Sequence, residues 1–251
     1  LKDGRGLLDV HNLVTLSRYP IVRHRQIWND LVPPPLYKFE TAEPAIPDLE
    51  KISWDRPVLH AEIDLGNDRI LHVFNLHLRA PLAAFIPGQK IGQFKWRTVS
   101  GWAEGFFVAS IKRNGQALEA RFAIDKLFDT QPDALIAVCG DMNAEEQEMP
   151  LRILRGDELE TENPALGLRM MIPMEKAAPE ARRYSVIHGG RTVMLDHMLV
   201  SRALFDRFQN IHIHNEVLKD ELTDYQIGAA LSVSHHAPIV ARFDFFEASC
   251  Q

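Results

Sequence analysis

Four short stretches of this 251-residue chain offer side chains that can hold a ligand or move a proton: Asn75 and His77, Asp141 and Asn143, Asp196, and His235 with His236. Histidine can take and return a proton near neutral pH. A carboxylate that orients such a histidine and stabilises its charged form is a recurring catalytic arrangement, and Asp196 is a candidate for that role. Each stretch also has a plainer reading. Gly140-Asp141-Met142-Asn143 has the composition of a turn, because Gly, Asp and Asn favour turns for local backbone reasons. Asp196 could face water on an edge strand, since aspartate is seldom fully buried. Adjacent histidines are common on surfaces.

The elements that must position these groups are legible as strands. Ala134 to Cys139 is an apolar run long enough for one buried strand, and it stops at a glycine just before Asp141 and Asn143. Pro57 to Leu65 alternates, Gly66-Asn67-Asp68 turns, and Arg69 to Leu78 returns, which predicts a hairpin with Asn75 and His77 on one face of its second strand. Asp196 falls inside the run Val193 to Val200, with Met194, Met198 and Val200 as same-face neighbours, so a buried Asp196 needs a partner. A second hairpin is expected from Arg183 to His188 and Arg191 to Val200 around Gly189-Gly190. His235 and His236 directly precede an expected last strand from Pro238 to Phe246.

Between these lie a predicted turn at Asp3 to Gly6, a strand at Leu13 to Ser17, and an irregular proline-rich stretch over 30–57. A long connection over 79–111 carries Lys90, Lys95, Arg97 and the aromatics Phe85, Phe94, Trp96, Trp102, Phe106 and Phe107. Packing of those aromatics onto the sheet is the leading expectation, with base-stacking as the alternative. Helices are predicted from Lys112 to Phe128, from Met149 to Leu154 and over 202–209, while 156–182 is poorly patterned.

Composition narrows the class. With 46% hydrophobic and 25% charged residues the chain is neither disordered nor fibrous. No apolar stretch is long enough for a transmembrane helix. A formal net charge of −6 argues against avid, sequence-independent binding to duplex DNA or anionic membrane, though not against a local basic groove. Two cysteines, Cys139 and Cys250, are too few for a disulfide framework, and Cys139 reads as a small buried hydrophobe rather than a nucleophile. No repeat, low-complexity tract or linker divides the sequence, so residues 1–251 are expected to form one domain. The chain opens at Leu1 with no signal-peptide pattern, and its compartment stays open.

Taken together, the stretches resemble the endonuclease/exonuclease/phosphatase superfamily, of deoxyribonuclease I-like fold. The matching pieces are Leu16-Ser17-Arg18-Tyr19-Pro20-Ile21, Phe74-Asn75-Leu76-His77-Leu78, Gly140-Asp141-Met142-Asn143, Leu195-Asp196-His197-Met198-Leu199-Val200-Ser201 and Ser234-His235-His236-Ala237-Pro238. They span nearly the whole chain in family order. The resemblance implies an α/β (α+β type) four-layer sandwich: two packed, mostly antiparallel sheets with helices on the outer faces. It implies hydrolysis of phosphodiesters or phosphomonoesters with Mg²⁺, or Mn²⁺ or another divalent cation. Carried over by position, His236 handles the proton of the attacking water and Asp196 pairs with it. Asp141 and Asn143 position water, phosphate and metal, and His77 contacts the phosphate or assists the leaving group. The implied partner is a phosphate-ester substrate, nucleic acid or small molecule; no protein partner is predicted.

Two departures bear on the metal. Family members usually open with a strand carrying a metal-site Asn and a second ending in Gln-Glu, whereas the match here begins around Asp3-Gly4-Arg5-Gly6. The expectation is an N-terminal segment upstream of Leu1 that supplies them. The second is His235, at the usual position of an Asp. As a metal ligand, alongside Asp141, its imidazole suits Zn²⁺ or Mn²⁺ better than Mg²⁺. Two rival readings follow: a catalytically impaired member acting as a binding or scaffold domain, and an unrelated zinc hydrolase using His77, His235 and His236.

Overall fold

The hairpin around Gly66 forms the middle of a six-stranded sheet. In this computed structural model, residues 13–92, 94–223 and 234–245 are described. Strand β1 (Ile21–Ile27) is followed by the short pair β2 (Leu36–Tyr37) and β3 (Glu50–Lys51), then by β4 (Val58–Asp64) and β5 (Ile70–His77). Helix α1 (Val99–Thr130) leads to β6 (Leu135–Asp141), α2 (Met149–Arg155) and α3 (Glu158–Thr161). Then come β7 (Ile172–Pro173), β8 (Val186–His188), β9 (Arg191–Val193), β10 (Asp196–Val200), α4 (Arg202–Phe205), β11 (Phe208–Ile213) and β12 (Ile239–Phe243). The large sheet has the order β1-β4-β5-β6-β10-β7, and β11 pairs with β12 beside it. Neighbours in the large sheet run antiparallel except β5 and β6, which are parallel and joined through α1.

Alternation along the strands decides what lies on each face. Phe74, Leu76, Ile136, Val138 and Leu199 pack against Ala117, Ala120, Ala123, Ile124 and Phe128 of α1. The alanines let the helix axis approach the sheet closely. Leu71, Leu135, Ala137, Met198 and Val200 turn the other way, onto Ile211, Ile213, Ile239 and Ala241 of the β11–β12 pair. The architecture is mixed α/β, with one large sheet that packs on α1 by one face and on the small β11–β12 sheet by the other.

Several local expectations are corrected. Leu13–Ser17 is not a strand: Val14 and Leu16 are exposed, and the first ladder forms after Pro20, with β4 as its partner. Helix α1 begins at Val99 rather than Lys112, with Thr98 capping it by accepting from the Gly101 N–H at 2.9 Å. Its first turns carry Gly101, Gly105 and outward aromatics, so no apolar stripe marks them in the sequence. Those aromatics mostly do not pack on the sheet. Phe85, Phe94, Trp102, Phe106 and Phe107 are exposed, while Trp96 packs beside a small cluster around Ile86 and Val108. The expected strand Arg191–Val200 breaks at Met194-Leu195: β9 turns back on β8, whereas β10 leaves to join β6. Residues 208–213, expected to be helical at their start, form β11 after a single helical turn. The turn at Asp3–Gly6, the end of the last expected strand at Phe246, and Cys250 lie outside the described residues. No described helix is long and apolar enough to cross a membrane.

Candidate active site

Strand register puts the predicted residues in one row. His77 is level with Asp141 across the parallel β5–β6 pair, and Asp141 is level with Asp196 across β6–β10. All three side chains therefore leave the same face at the same end of the sheet. His77 Nε2 stands 3.3 Å from Asp141 Oδ2. His236, three residues before β12, reaches that row from the second sheet: its Nδ1 lies 2.7 Å from Asp196 Oδ2. Asp196 is thus neither an open edge residue nor an unpaired buried charge.

One buried serine, which the sequence reading passed over, fixes both members of that pair. Ser185 Oγ accepts from the Leu195 and Asp196 N–H groups at 3.0 Å each, and the Ser185 carbonyl accepts from the Ala237 N–H at 2.8 Å. Ser185 has no exposed surface. The backbone of Asp196 and the residue after His236 hang from it. Only the strand break at Met194-Leu195 makes this possible, so no local pattern announces it.

The Gly140–Asn143 segment is both a turn and part of this site. Gly140 has φ +135°, and a Cβ there would come within 1.9 Å of the Leu76 carbonyl oxygen, so only glycine fits. Asn143 sits in the left-handed region at φ 47°. Its N–H donates to Asp141 Oδ1 at 2.8 Å, and its side-chain amide donates to the Leu78 carbonyl at 2.9 Å and to Asp141 Oδ2 at 3.2 Å. Arg113 of α1 donates to the Asn143 carbonyl at 2.7 Å, so the helix holds the loop from outside.

The electrostatics follow from burial and like charge. Desolvation, then the Asp196 carboxylate, push Asp141 up to about 6, against the opposing pull of the Asn143 N–H, His236 and Arg56. Its hydrogen bond to Asp196 is the main cause that raises His236 above its ordinary range. Arg56 was missed by the sequence reading. It precedes β4 in the proline-rich stretch and acts on Asp141 through its charge. Also unforeseen was His197, whose two ring nitrogens face acceptors: Glu175 Oε1 at 2.5 Å and the Ala144 carbonyl at 2.8 Å. With both nitrogens donating, the ring is held above its ordinary range, chiefly by Glu175 and against its burial. It ties the start of β10 to the segment after Asn143. Cys139 is buried enough that its thiol rises to about 11, which suits a core residue and not a nucleophile.

Asp141, Asp196 and His236 offer ligand atoms that all lie within 4.8 Å of one another. His235, the other metal candidate, adjoins His236 in sequence and is buried at 7% exposure, but it is not one of that group. Asp196 is engaged by His236, and Asp141, whose oxygens accept from Asn143 and face His77, is the other carboxylate that could hold a cation. The Asp196 carboxylate raises the pKa of Asp141, and a hard divalent ion is suited to relieve that repulsion.

No family model and no curated protein matches the chain. Solved structures similar to it include a 3′ phosphatase, NExo, from Neisseria bound to a product DNA hairpin: 15% identity, 88% of this chain and 73% of that one, TM-score 0.46. Others are an endonuclease/exonuclease/phosphatase family protein from Bacteroides thetaiotaomicron (13% identity, 90% and 65% coverage, TM-score 0.47) and an AP endonuclease from Archaeoglobus fulgidus (14%, 83% and 70%, TM-score 0.43). The chain spans between 51% and 73% of the length of such structures.

Proposed function

We propose that this protein is a metal-dependent phosphoesterase of the endonuclease/exonuclease/phosphatase type, cleaving phosphodiester or phosphomonoester bonds, with residues 1–251 as one domain of a four-layer sandwich. The observation that carries the reading is the Asp196–His236 pair, 2.7 Å apart, beside Asp141 in the same strand row. In this reading His236, in its neutral form, takes the proton of the attacking water through Nε2 while Nδ1–H stays on Asp196. Asp196 fixes the tautomer and stabilises the imidazolium that forms. Asn143 and His77 orient the phosphate oxygens, and His77 is placed to assist the leaving group. Asp141 would hold Mg²⁺, or Mn²⁺ or another divalent ion, which when bound supplies neutralisation of charge developing on the phosphate. His235 is the second proposed metal contact. Phosphoryl transfer needs mainly positioning and charge neutralisation, so a small set of rigidly held groups suffices.

The test is hydrolysis of bis-p-nitrophenyl phosphate and p-nitrophenyl phosphate in EDTA, Mg²⁺ or Mn²⁺, with His236→Ala in parallel. Activity that needs the cation and disappears in the variant is expected. Activity indifferent to both chelation and the substitution would sink the mechanism, and silence on both esters under every metal would favour the scaffold reading.

A further inference from the structure

On the opposite, helix-facing side of the sheet, β4 and β5 carry His60, Glu62 and His72 together. Register sets Glu62 against His72 and His60 against Phe74, so all four share one face. His60 and His72 are 5% and 2% exposed, and the His60 ring stacks on Phe74 with centroids 4.2 Å apart. His60 Nε2 and His72 Nδ1 face each other at 3.2 Å. A Glu62 oxygen and these rings all lie within 4.8 Å of one another. A hydrogen bond between two neutral rings accounts for the histidine contact. It gives no role to the carboxylate that completes the group.

We propose that His60, Glu62 and His72 form a binding site for a zinc-class divalent metal ion, separate from the phosphoesterase site on the other face. Two nitrogens at about 2.05 Å from a tetrahedral ion stand about 3.3 Å apart, close to the spacing these rings already hold. Two imidazoles with one carboxylate select Zn²⁺ or a similar transition metal over Mg²⁺. Three protein ligands leave a fourth position for water on the side where Glu62 meets solvent, its side chain being 20% exposed. The bound ion would staple β4 to β5 at the centre of the sheet.

The surrounding polar groups set the affinity. Arg23 of β1 is 3.8 Å from Glu62 and 75% exposed, so it must swing into water to release the carboxylate. Arg25 is level with His60 across β1–β4, and the Gln131 side chain, just past α1, lies near His72. The two arginines oppose a cation, which predicts moderate affinity that improves when Arg23 is removed.

The full chain carrying Asp141→Asn and His236→Ala, to silence the other cluster, would be stripped with chelator and titrated with Zn²⁺ against a chromophoric competitor, and with Co²⁺ read by visible absorption. Expected are one equivalent bound with moderate affinity, the intense Co²⁺ bands of a four- or five-coordinate site, and a zinc-dependent rise in Tm. Glu62→Gln should weaken binding at least tenfold, His60→Gln should abolish it, and Arg23→Ala should tighten it several-fold. Glu62 and Arg23 are partly exposed, so those two variants report even if His60→Gln fails to fold. Zinc affinity unmoved by Glu62→Gln and Arg23→Ala, or only weak octahedral Co²⁺ bands, would overturn the proposal.

Discussion

Asp141→Asn is expected to make the protein more stable at neutral pH while removing the proposed activity. Burial, and then Asp196, raise the Asp141 carboxyl from 3.8 to about 6, and its side chain is only 15% exposed. Ionising it therefore costs the folded state about 3 kcal/mol, at about 1.4 kcal/mol per unit. Because the folded pKa is raised, the unfolded chain gives up the proton first. The protonated group's contribution to stability is complete below pH 3.8, declines as pH rises to about 6, and is gone above that. Asparagine carries no charge and escapes this cost. It does not keep every bond, however. Its oxygen can accept from the Asn143 N–H, but its NH₂ would meet the Asn143 side-chain amide and His77 Nε2, now 3.2 and 3.3 Å from a carboxylate oxygen. That mismatch costs about 1 kcal/mol. The net gain at pH 7.5 is about 2 kcal/mol, or roughly 4–8 °C in Tm for a chain of this size. At pH 4.5 only about 1 kcal/mol of the ionisation cost remains, and the gain should vanish. Urea unfolding of both proteins in EDTA, at the two pH values, measures the difference. A variant less stable than the parent at pH 7.5, or an offset of equal size at both pH values, refutes the reasoning.

Ser185→Ala should leave the Leu195 and Asp196 N–H groups buried without their acceptor, costing about 2–4 kcal/mol. Because it positions the Asp196–His236 pair, kcat should fall more than KM changes, and the pH profile attributed to His236 should shift toward lower pH; an unchanged profile would reduce Ser185 to a structural role. Gly140→Ala puts a methyl into the Leu76 carbonyl at a φ that L-residues avoid, so a loss of roughly 3 kcal/mol or more is expected in chemical denaturation. Glu119→Gln tests the framework far from the row. Glu119 accepts from the Asn29, Asp30 and Leu31 N–H groups at 3.0, 2.7 and 3.0 Å and from the Trp54 indole at 2.8 Å. Turning one oxygen into a donor should cost about 2–4 kcal/mol in thermal or urea unfolding, and a loss below half of that would mean the loop finds other partners.

The strands bearing His77, Asp141 and Asn143 were legible in the sequence because alternation and a terminal glycine are local signals, set by a side-chain period of two. The same period correctly put Asn75 and His77 on one face. Local signals failed wherever the partner decided the state. Leu13–Ser17 alternates but forms no ladder, and Val99 to Ile111 is helical without an apolar stripe, because its outward aromatics mask the period. The sequence by itself determined which residue types were available and which face of β5 and β6 they took. Tertiary structure alone decided that β10 leaves its hairpin to align Asp196 with Asp141, that Ser185 holds Asp196 and Ala237, and that His60 meets His72 across a strand pair. Those facts rest on register between segments distant in the chain, and register is fixed by the burial of whole faces rather than by any one residue.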